Sequence, residues 1–118
     1  MDPIYDKTGA VVGWFESDRI RGLDGAVVGW VRGEYVHGLY GQNVGVLKSG
    51  NFRDTSGNVV AWLRGATGGP VHPVPSVPPV PPVPHVPPVP AVPHVPFVPA
   101  VPSLSWSGIS FEQFLPRR

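Results

Sequence analysis

Four glycines, Gly9, Gly25, Gly41 and Gly57, stand sixteen residues apart, and no other feature constrains the fold of this chain as strongly. The same shift superposes Val12, Val28, Val44 and Val60, then Gly13, Gly29, Gly45 and Ala61, then Trp14, Trp30, Val46 and Trp62. Phe15, Val31, Leu47 and Leu63 form a further column, as do Ile4, Ile20, Val36 and Phe52. Six columns in one register across four copies define a repeat, in which each unit needs its neighbours to bury its apolar side.

Each unit reads as a β-hairpin. Ile20 to Leu23 forms a short strand, Asp24-Gly25 a two-residue turn, and Ala26 to Arg32 a second strand. Asp-Gly between β-branched runs is a strong hairpin signal, because Gly accepts the positive φ of a type I′ turn. Ser17-Asp18, Gly33-Glu34 and Ser49-Gly50 supply the turns between units. The expected fold is all-β: about eight short antiparallel strands, four hairpins closed into a small shallow barrel, since an open array would leave bare edges. Simple alternation puts Val28, Trp30 and Arg32 on one face and Val27, Gly29 and Val31 on the other. The Gly face suits the crowded interior, leaving the Trp face outward or at a mouth of the ring.

Composition then divides the chain into residues 1–66, the repeats; 67–102, a linker; and 103–118, an aromatic tail. Fifteen of the 17 prolines fall in residues 70–102, with valine at every third position from Val71 to Val101. Three residues per turn is the polyproline II period, so the valines form one stripe on a rod able to span roughly 100 Å. A bare spacer is the expected role. A ligand for an aromatic-lined groove, or a stripe packed on the protein itself, are the alternatives.

The tail carries Phe111, Phe114 and Leu115 at the spacing of one helical face. Ser110 and Gln113 have capping-box spacing, and Pro116 ends the turn. So short a helix is unstable alone, so Trp106, Ile109, Phe111, Phe114 and Leu115 are expected to dock. Their own β domain is the first choice, a membrane aided by Arg117 and Arg118 or a protein partner the others.

These columns and the tail resemble the four-fold β-flower family, a bacterial and phage group of four hairpins arranged as petals. The G-x-V-V-G-W-V unit at Gly25–Val31 and its counterpart at Gly9–Phe15 carry the likeness, with W-S-x-x-S-F-x-x-F-L at Trp106–Leu115. The third unit departs from the pattern, with Asn43 for Val and Val46 for Trp. The family is similar in shape to the lipid-binding C-terminal domain of tubby-like proteins, and that likeness implies membrane association.

The chemistry expected is binding. Residues 1–66 hold seven Lys or Arg against seven Asp or Glu, and the net charge is +1, so no basic stripe points to nucleic acid. Asp6, Asp24 and Asp54 sit at turns, where a carboxylate bonds local amides. No base lies beside a nucleophile in any recognisable motif, so no enzyme, cofactor or metal site is expected. His85 and His94 lack nearby ligands, and His37 reads as a strand surface residue. The column Glu16, Arg32, Lys48 and Arg64 gathers at one rim of a four-fold ring. Beside Trp14, Trp30 and Trp62, the basic residues Arg32, Lys48 and Arg64 could meet an anionic lipid surface. The alternative is a protein-interaction or structural module whose Val-Pro rod and tail dock on an unidentified protein, a neighbouring subunit or its own β domain. No signal peptide or membrane-length apolar run is visible, so a cytoplasmic protein, peripheral to a membrane at most, is expected.

Overall fold

The computed structural model describes residues 1–95 and 97–117. Eight strands, β1 (Asp2–Tyr5), β2 (Val11–Glu16), β3 (Arg19–Arg21), β4 (Val27–Arg32), β5 (Tyr35–Gly38), β6 (Asn43–Lys48), β7 (Asn51–Asp54) and β8 (Val59–Leu63), follow one another up and down. Each pairs antiparallel with the next, and β1 pairs with β8, so the sheet closes and leaves no edge. The body is a flat disc of 36 × 36 × 22 Å.

The hairpin loops are one residue longer than the sequence reading allowed. In the second unit the Gly25 amide donates to the Gly22 carbonyl (3.0 Å) and the Gly22 amide to Ala26 (2.8 Å). Leu23, Asp24 and Gly25 thus form a three-residue loop, with Gly25 in the left-handed region at φ +90°. The Asp24 carboxylate accepts from the Ala26 amide, as Asp6 does from Thr8 and Asp54 from Ser56.

Each hairpin carries a bulge that alternation alone does not reveal. Ile20 faces Gly29 while Arg21 faces Val27, so Val28 is the extra residue. The bulge turns Val28 inward with Gly29 and Val31, and leaves Val27 on the Trp side. The expected grouping of Val28 with Trp30 is therefore corrected. Inside the barrel, Ile4, Ile20, Val36 and Phe52 form one ring of the core with Val28, Val60 and Ala61. Among the described residues no helix is long and apolar enough to cross a membrane.

Candidate functional site

The Val-Pro tract is no free spacer: it runs round the outside of the barrel as a strap. At nine-residue intervals the amides of Ser76, His85, His94 and Ser103 donate to the carbonyls of Gly9, Gly25, Gly41 and Gly57, at 2.9 to 3.2 Å. Nine residues of strap therefore serve each sixteen-residue hairpin. The anchors fall where the proline pattern is interrupted, because proline has no N–H to give. Two buried arginines fasten the strap further. Arg21 Nη1 donates to both the Gly25 and His85 carbonyls (2.8 and 2.9 Å), and Arg53 Nη1 to those of Gly57 and Ser103 (both 2.7 Å). Arg53 Nη2 adds the Gly68 carbonyl at 2.8 Å, and burial pulls its guanidinium below its ordinary basicity.

The circuit closes on itself. His72, at the start of the strap, stacks on Trp62 with ring centroids 4.2 Å apart and planes 3° from parallel. Trp106, beyond its end, reaches the same His72 at 6.0 Å and bridges to Val59. His72 Nε2 lies 3.2 Å from Asn51 Oδ1, and burial lowers the ring's basicity. In the third unit, where Val46 stands in place of Trp, the strap carries Phe97 edge-on to Tyr35 at 5.6 Å. Asn43, the other departure there, donates to the Val95 carbonyl at 2.7 Å.

The valine stripe faces away from the barrel. All eleven valines from Val71 to Val101 are 85–94% exposed, so the alternative of a stripe packed on the protein is also corrected. The contacts are made through the backbone instead, and the prolines at 87, 88 and 90 line one cavity together with Trp30.

Behind the strap the chain turns into the barrel. Helix α1 (Phe111–Phe114) starts at Ser110, whose hydroxyl accepts from the Gln113 amide while Gln113 Oε1 accepts from the Ser110 amide. Phe111, Phe114 and Leu115 belong to the same buried cluster as Ile4, Ile20 and Val36. Each lies over one glycine of the inner ring. A Cβ at Gly13 would come 3.1 Å from Phe111, at Gly29 2.8 Å from Leu115, and at Gly45 3.0 Å from Phe114. The fourth position is Ala61, itself fully buried, so three glycines make three sockets and the fourth petal fills its own. Two cavities of about 390 and 420 Å³ flank Phe111, one reaching Lys7 and Ile109, the other Val28 and Pro116.

The residues singled out from sequence are thus dispersed. Trp14, Trp30 and Trp62 do face outward, but lie on the outer wall at no more than 5% exposure. Arg32, Lys48 and Arg64 are exposed at the barrel end opposite the hairpin loops, with Arg64 bonded to the Tyr5 hydroxyl at 3.1 Å. Among the described residues the exposed basic side chains thus stand beside tryptophans that are themselves buried. Trp106 and Ile109 stand outside the three sockets, and Ile109 is 39% exposed. His37 is buried, at 4% exposure, which corrects its reading as a surface residue. Arg117 forms a two-pronged pair with Asp24 at 2.8 and 3.0 Å, whereas Arg118 lies outside the described residues. The strap anchors went unread in the sequence. Their signal was Ser76, His85, His94 and Ser103 at nine-residue spacing, beneath the more conspicuous period of three.

Four hairpins, a closed ring and a C-terminal segment inside it set the family. The family described as 4-fold beta flower protein matches residues 2–115. This chain is a four-fold β-flower. No curated protein and no solved structure matches it. The match takes in the strap and α1 of this β-flower as well as its repeats. Among the described residues of the β-flower, no group of three or more His, Cys, Asp or Glu side chains could hold a metal ion.

Proposed function

We propose that this β-flower is a non-catalytic binding module and that the strap is its working surface. In this reading residues 70–102 take a polyproline II path around the barrel and offer their valines to a partner protein. The observation that carries it is the row of eleven valines at 85–94% exposure. Burying one such side chain is worth about 1.5–3 kcal/mol, and monomeric proteins rarely expose contiguous apolar patches beyond a few hundred Å².

Charge favours a protein over a lipid surface. No Lys or Arg lies between Arg64 and Arg117, so the strap has no cation for anionic head groups. Trp14, Trp30 and Trp62, which would sit in a lipid interface, are buried at no more than 5% exposure. A ridge that follows a disc 36 Å across can also meet a flat bilayer along only part of its length.

A photoreactive amino acid at Val83, with Lys48 as the control position, tests this in the cells that make the protein. Discrete protein adducts from position 83 and none from position 48 are expected. Adducts to lipid alone, or none above the control, would overturn the reading.

A further inference from the structure

Four residues share one repeat position, one in each petal, and it is the position from which Arg21 and Arg53 reach the strap: Tyr5, Arg21, His37 and Arg53. All four are buried, at 0%, 2%, 4% and 2% exposure. In the second and fourth petals an arginine ties the hairpin-loop carbonyl to the strap carbonyl. Arginine keeps its charge at any pH a protein meets, so those two fastenings do not titrate. The third petal carries a histidine there.

We propose that His37 is an acid-sensitive latch, whose protonation loosens the strap at the third petal while the arginine fastenings hold. This goes beyond the binding role above and does not depend on what the valines meet.

The surroundings of His37 suit the neutral ring. Its Nδ1 is buried and has no partner among the described residues. As a neutral acceptor that nitrogen costs less than a protonated Nδ1–H, which would be a buried charged donor with nothing to receive it. The cationic or titratable groups that bear on it are Arg32 on β4 and His94 on the strap, and both oppose a second positive charge. Across the sheet it faces Trp30 on β4 and Asn43 on β6, both neutral. The Gly41 carbonyl is the one group that favours the cation. Burial outweighs it, and the ring is less basic than the ordinary value of 6.5. The neutral form is therefore held in the folded state. The stabilisation is complete above about pH 6.5 and is lost as pH falls through the lower folded value. What it holds is close at hand, since the His94 amide donates to the Gly41 carbonyl at 2.9 Å.

Amide hydrogen exchange on the full chain tests the latch, with rates corrected for the intrinsic effect of pH. Between pH 7 and pH 5 the His94 amide should lose protection, and by clearly more than the other strap anchors. The His85 and Ser103 amides, backed by Arg21 and Arg53, should change by less than about twofold. His37→Arg should bring His94 into line with them. His37→Gln, which keeps the site neutral, should do the same if the arginine cannot be accommodated. Equal behaviour of all three amides in the unaltered protein, or an acid loss at His94 that persists in His37→Gln, would overturn the proposal.

Discussion

Gly45 and Phe114 share one volume. A Cβ on Gly45 would lie 3.0 Å from Phe114 Cε1 and would overlap the Arg53 carbonyl of the neighbouring strand. The glycine column in the sequence thus carries two demands at once, close approach of adjacent strands and a seat for the tail. Gly13 with Phe111 and Gly29 with Leu115 repeat the arrangement.

Gly45→Ala should consequently destabilise the fold by about 1–3 kcal/mol, the usual cost of overpacking a filled core. Ala61→Gly, at the petal with no tail residue to seat, should cost only about 0.5–1 kcal/mol through backbone entropy and a lost methyl. Urea unfolding of the two variants checks the contrast. Equal costs would mean that the sockets are not what fixes the column.

The tail residues themselves should divide. Phe114, at 2% exposure, should lose about 3–5 kcal/mol on replacement by Ala. Ile109→Ser, at a position 39% exposed, should stay within about 0.5 kcal/mol. Chemical denaturation of both variants separates a built-in tail from a loose appendage.

The strap should be sensitive to its N–H groups and indifferent to the side chains that carry them. His85→Pro removes one of the two donors to the Gly25 carbonyl, which keeps only its bond from Arg21 Nη1, at a cost of about 0.5–1.5 kcal/mol. His85→Ala keeps the amide and should stay within about 0.5 kcal/mol. Thermal melts of the pair decide between anchoring through backbone and through the imidazole.

The Asp24–Arg117 pair gives a second, more acidic pH dependence. The Arg117 guanidinium, through its hydrogen bond, holds the Asp24 carboxyl well below its ordinary 3.8. A carboxylate depressed in the folded state stabilises above its unfolded value, and the gain is lost as pH falls below about 4. Both side chains are about half exposed, so the gain should not exceed about 1 kcal/mol and should shrink in salt. Arg117→Gln should remove this component from a plot of stability against pH, while leaving any change between pH 7 and pH 5 in place.

Much of the barrel was legible because its signals are local and repeated. Gly25 and its partners mark the loops, and Ile20, Gly29 and Val31 mark the inner wall. Two features were hidden for physical reasons. Val28 looked outward because alternation presumes an unbroken ladder, and a bulge shows only in the pairing of Arg21 with Val27. The strap looked like a rod because valine every third residue gives the same pattern on a free polyproline helix as on one laid against a wall. What breaks that tie is the nine-residue spacing of Ser76, His85, His94 and Ser103, which means little until set beside the sixteen-residue spacing of Gly9, Gly25, Gly41 and Gly57. His37 was misread as well, since nothing local in the sequence announces that it is buried.

Small-angle X-ray scattering of the full chain tests the central claim, that the Val-Pro tract encircles the barrel, most directly. A wrapped strap predicts a body near the 13.1 Å radius of gyration of the Cα trace, with a longest dimension of about 40 Å once hydration is added. A free rod would instead carry the tail outward and push the longest dimension toward roughly 100 Å. The compact profile is the one expected, and a long tail in the distance distribution would contradict the strap.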